Sequence, residues 1–104
     1  MSTRDEGVRI LKEKYLKVLE DLSDKIKIES GVKSEAVRRI DILANKLSLS
    51  GDNPRAVVGA VVFAIEGEKG MPGRSQQIAE ALDLAAMSIT ENARRHAIHF
   101  RKSN

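Results

Sequence analysis

Residues 56–65 read AVVGAVVFAI, preceded by Asn53, Pro54 and Arg55. Asn53 can cap a helix and Pro54 suits its first position, so the spacing predicts a helix over about residues 54–66. The decapeptide carries no charge and has no polar stripe to turn toward water. A helix that is apolar on every face has to be wrapped by other elements, and Gly59 and Ala60 let those neighbours come close. The stretch is far short of the roughly 20 apolar residues a membrane span needs, and the polar N-terminus has no secretory pattern. The expectation is a soluble, cytoplasmic protein without membrane contact.

Upstream, Val8, Leu11, Tyr15, Val18, Leu22 and Ile26 recur at helical spacing and predict a first helix over residues 3–26. Its stripe reads as core-facing, with a homodimer seam as the alternative. Gly31 breaks the pattern. Ser34 then caps a second helix running to about Leu49, with Val37, Ile40, Leu43, Ala44 and Leu47 on one face. Arg38, Arg39, Asp41 and Lys46 fall on the other face, a solvated surface from which Arg38 and Arg39 could reach a phosphate.

Downstream, residues 67–73 hold three glycines and a proline and read as a surface loop. Its Gly spacings neither follow a strand nor lead into Lys and Ser/Thr, which excludes a phosphate-binding loop of the nucleotide type. Residues 74–83 form a short helix with Ile78, Ala79 and Leu82 inward. A tight connection at residues 83–86 leads to a last helix over residues 86–101. That is the spacing of a helix-turn-helix, with Leu84 and Ile89 completing its apolar positions.

The chain has 104 residues, no Cys, no Trp, two Phe and one Tyr. This length supports one domain over residues 1–104, with residues 1–7 and 102–104 frayed. The absence of cysteine excludes disulfides, Cys-bound zinc and a thiol nucleophile, and no cofactor is expected. No Ser-His-Asp order, nucleophile elbow or carboxylate pair marks a catalytic centre, so the expectation is a non-enzyme. His96 and His99 are three apart, but no third ligand accompanies them unless Glu91 or Asp83 is recruited by folding, so no metal site is expected. Net charge is +3, and residues 74–104 carry five bases against three acids, a mild basic bias at the C-terminal end.

The order of elements is informative. The run NPRAVVGAVVFAI, a short loop and then RSQQIAEALDLAAMSITENARRH resembles the second half of a cyclin-like repeat of the transcription factor IIB family, called transcription factor B in archaea. SEAVRRIDILANKL is similar to the helix that precedes it there. The resemblance covers roughly residues 12–100. It implies a five-helix cyclin-like bundle, and a transcription factor domain that binds promoter DNA through a helix-turn-helix and meets the TATA-binding protein or RNA polymerase. The chain departs from the family in having one repeat and no cysteine for a zinc ribbon. Thr90, Glu91 and Asn92 stand where Arg and other polar DNA contacts are usual, Ala85 where a Ser or Thr cap is common, and Ala93 where an aromatic is common.

The candidate DNA-binding residues are therefore Ser75, Gln76, Gln77, Met87, Ser88, Thr90, Glu91, Arg94, Arg95, Arg101 and Lys102. Thr90 can touch a thymine methyl, Glu91 can accept from cytosine, and Gln76 or Gln77 can add some discrimination. Arg94, Arg95, Arg101 and Lys102 would hold the backbone, giving a log–log salt slope of roughly −3.6 for four contacts. The same four cations also suit the negative end of the last helix without any partner. An alternative is a protein-interaction module that docks on the transcription machinery through Met87, Ala85 and Ala86 without reading DNA.

Overall fold

The computed structural model describes residues 3–45 and 53–97, all of whose regular structure is helical. Five helices follow in order: α1 Thr3–Lys25, α2 Ser30–Asn45, α3 Pro54–Glu68, α4 Ser75–Ala81 and α5 Ala86–His96. No helix is long and apolar enough to cross a membrane among these residues.

The centre of the bundle is α3, which touches each of the other four helices. Asn53 begins it as the sequence requires, its side chain accepting from the Arg55 amide at 3.0 Å, with Pro54 opening the first turn. Residues 56–62 are buried without interruption. Where α3 meets the C-terminal pair, Gly59 has no room for a side chain: a Cβ there would lie 2.6 Å from Ile89 Cδ1 and 2.9 Å from Leu82 Cδ1. The missing side chain is what lets α4 and α5 lie directly against the α3 backbone.

The bounds of α2, α3 and α4 differ from the sequence reading. α2 starts at Ser30, so Gly31 sits in its first turn and Ser34 within it. Glycine costs a helix about 1 kcal/mol, whereas burying a Val side chain returns about 1.5–3 kcal/mol, and the earlier start brings Val32 fully into the core. The buried face of α2 is accordingly Val32, Ala36, Ile40, Leu43 and Ala44, and Val37 is left 40% exposed. α3 continues through Gly67 and Glu68 before the loop begins. α4 is shorter than residues 74–83, because the chain turns out of it at Asp83.

On α1 the fully buried side chains are Tyr15, Leu19 and Leu22, and Val18 is only half-buried. The stripe is wider than three-and-four spacing suggests because α1 packs on α2, α3 and α4 together. Lys46, Leu47, Leu49, Gly51 and Asp52 lie outside the described residues, as does the expected extension of the last helix to residue 101.

Two ion pairs, each with one buried member, brace the loop end of α3. Glu66, 1% exposed, accepts from Arg74 at 2.6 Å, and the same guanidinium donates to the Lys27 carbonyl at 2.7 Å. One arginine thus ties the start of α4 to α3 and to the α1–α2 connection. Arg39, expected on a solvated face, is instead 5% exposed. Its Nη1 and Nη2 donate to Glu68 at 2.8 and 2.6 Å, and its Nε to Glu35 at 2.8 Å. With these donors engaged, Arg39 is not a phosphate ligand. Its partner Glu68 lies 29 positions away, which no local pattern in α2 reveals.

Candidate nucleic-acid interface

The connection between α4 and α5 is a full Schellman turn. The Leu84 amide donates to the Ala79 carbonyl at 2.8 Å and the Asp83 amide to the Glu80 carbonyl at 3.2 Å. The pattern requires a left-handed residue between them, and Asp83 supplies it at φ 59°. The same turn ends α3, with the Met71 amide on the Glu66 carbonyl at 3.0 Å, but there the left-handed position is Gly70 at φ 75°. α4 and α5 pack on each other across their turn and both rest on α3.

This seating divides α5 into two faces. Ile89, Asn92 and His96 are buried. Met87, Glu91 and Arg94 recur at helical spacing on the opposite side and are exposed, Met87 at 66%. Thr90 is half-buried between them, its hydroxyl donating to the Met87 carbonyl at 3.2 Å. Ser88 is half-buried, and its carbonyl accepts from the Asn92 amide group at 2.8 Å. Asn92 Oδ1 in turn accepts from Arg95 at 2.9 Å, so the exposed Arg95 is steered by a buried amide.

On α4, Gln76 and Gln77 are exposed and Ser75 half-buried, with Gln76 donating to Glu80 at 3.3 Å. Ser75, Gln76 and Gln77 lie in the first turn of α4, and the exposed residues of α5 follow on the adjoining helix. Arg101, Lys102 and His99 lie outside the described residues. His96 is buried, and among the described residues no three His, Cys, Asp or Glu side chains gather as a metal site would need.

Basic side chains differ in how they are occupied. Among the described residues Arg9, Arg38, Arg39 and Arg74 are ion-paired. Bonds from both Arg38 and Arg39 hold the Glu35 carboxyl down at about 2, with Arg38 the larger influence and burial opposing them. Among the described residues, the arginines without a carboxylate partner are Arg55, Arg94 and Arg95. Arg94 and Arg95 are on α5. Arg55, from the start of α3, reaches the Leu82 carbonyl in the turn at 3.5 Å. Lys25, the last residue of α1, donates to the neighbouring Ala81 carbonyl at 3.0 Å and likewise has no ion pair among the described residues.

Sequence reasoning missed Lys25 and Arg55, which lie 56 and 27 positions from the carbonyls they meet. Nothing in their own neighbourhoods marks them. No protein-family model, curated protein or solved structure matches the chain.

Proposed function

We propose that this chain is a non-enzymatic, transcription-associated domain of the cyclin-like type that binds double-stranded DNA through α4 and α5. The observation that carries the reading is the outer face of α5. Met87, Thr90, Glu91 and Arg94 line one side of a helix that is fixed by its turn and by α3, and no other described helix covers that side. A helix held this way is suited to enter a major groove with its first turns at the base edges. Thr90 and the neutral tip contribute modest base discrimination, with Gln76 and Gln77 beside them, and Arg94 and Arg95 hold phosphates. Binding by the single domain is weak, because Glu91 offers no guanine contact and opposes the phosphates.

Fluorescence anisotropy with random and promoter-like duplexes tests this at low and moderate salt. The wild type should bind with a negative log–log salt slope, and an Arg94→Ala, Arg95→Ala variant should lose about 1.8 of that slope, about 0.9 per contact. Absence of binding at low salt discards the reading.

The exposure of Met87 beside Ala85 favours a second reading, in which the same tip docks on the TATA-binding protein or RNA polymerase. Sedimentation with each partner, comparing wild type with Met87→Glu, separates the two readings. Loss of co-sedimentation in the variant supports docking.

A further inference from the structure

We propose that Lys25 and Arg55 bind phosphates of double-stranded DNA at the N-terminal margin of α5, across the groove from Arg94 and Arg95. The inference rests on the DNA-binding reading above and assigns to it two residues from distant parts of the chain.

The first ground is the partition of the arginines. Four arginines of the described residues have their charge neutralised within the fold, while Arg55, Arg94 and Arg95 do not, and all three of these lie on or against the α4–α5 pair. Lys14, Lys17, Lys25, Lys27 and Lys69 also form no ion pair among the described residues, and of these Lys25 is the one that bonds the end of α4, at the Ala81 carbonyl. Both Lys25 and Arg55 are exposed. An ammonium has three donors and a guanidinium five, so one carbonyl each leaves most of them open to an anion. Charge-assisted bonds to phosphate are roughly twice as strong as bonds between neutral groups. Asp83 is exposed in the same turn and forms no ion pair with either cation.

Spacing is the second ground. From Ala86 to Arg94 is eight residues of helix, about 12 Å at roughly 1.5 Å per residue. The major groove of B-form DNA is about 12 Å wide. Lys25 and Arg55 bond Ala81 and Leu82 just ahead of α5, and Arg94 and Arg95 stand two turns along it, so the two pairs flank a stretch of helix whose length is comparable to the groove. The intervening outer face carries Met87, Thr90 and Glu91 and no base, which places cations at the two margins and the reading residues between. The positive charge that the tip of α5 lacks in its own sequence is supplied by the end of α1 and the start of α3.

The test is a Lys25→Gln, Arg55→Gln variant beside the Arg94→Ala, Arg95→Ala variant, each titrated with a random duplex from 50 to 200 mM salt. Loss of two phosphate contacts lowers the slope by about 1.8, so the wild type should lose about twelvefold more affinity over that range than the Gln variant. Lys25→Arg with Arg55→Lys should keep the wild-type slope. Because both residues also bond the end of α4, the wild type is probed as well: duplex DNA should protect Lys25 from acetylation. A Gln variant that folds and keeps the wild-type slope, or a Lys25 that acetylates equally with and without DNA, overturns the assignment. If the Arg94 and Arg95 variant loses slope in the same experiment, the DNA-binding reading survives that failure. A wild type that binds no duplex removes both.

Discussion

Arg74 and Glu66 meet at 2.6 Å beneath the loop that separates α3 from α4, with the carboxylate wholly enclosed and the guanidinium reaching on to Lys27. A charge so enclosed is tolerated only because its partner is in place. Arg74→Ala strands the Glu66 carboxylate and should cost about 3–5 kcal/mol in urea unfolding. A Glu66→Gln, Arg74→Met double variant should recover part of that loss. Equal stability of Arg74→Ala and wild type would show that the pair is not formed in solution.

Gly59 and Gly67 lie on the same helix and should respond oppositely to alanine. At Gly67 a new Cβ meets nothing within 4 Å, so Gly67→Ala should stabilise by about 0.5–1 kcal/mol through helix propensity. At Gly59 the methyl collides with Ile89 and Leu82 and comes within 3.2 Å of Ile78 Cγ2, all of them buried. Overpacking of about 1–3 kcal/mol outweighs the propensity gain, so Gly59→Ala should lower the melting temperature.

Asp83 occupies a left-handed position that Gly70 fills in the equivalent turn of α3. Asp83→Gly should raise stability by about 0.5–1 kcal/mol, and Asp83→Val should lower it by about 1–2 kcal/mol, as read by thermal melts. Stability falling in both variants would mean that the Asp side chain contributes a contact of its own.

The Glu35 carboxyl gives the fold an acid limit. Its ordinary value of 4.5 is lowered to about 2 by the bonds from Arg38 and Arg39. A carboxyl depressed on folding contributes stability that is complete above about pH 4.5 and is lost as pH falls toward 2. The stability difference between wild type and Glu35→Gln should therefore shrink over that window and be constant between pH 5 and 7. Because Arg38 is exposed, added salt should reduce the difference.

What was legible in the sequence follows from what is local. The decapeptide at 56–65 declares its own enclosure because it has no polar face, and the Asn53 and Pro54 start is a short-range signal. Ile78, Ala79, Leu82 and Ile89 likewise fix the α4–α5 pair by spacing alone. The start of α2 was hidden because Gly31 reads as a stop, while the core position that overrides it, Val32, is defined by other helices. Arg39 looked solvated for the same reason: its ligand Glu68 comes from another helix. On the candidate interface, Met87, Glu91 and Arg94 are each picked out by their place in the last helix, but the cations near its start are not, since only folding brings Lys25 and Arg55 to the end of α4.

Enclosure of α3 by its four neighbours also ranks the chain in time. Its amide hydrogens should be the last to exchange with deuterium, opening only with the whole molecule. The seven-residue α4, tied to its surroundings by Lys25, Arg55 and Arg74, should exchange earlier, so the segment beside α5 should loosen before the central helix does.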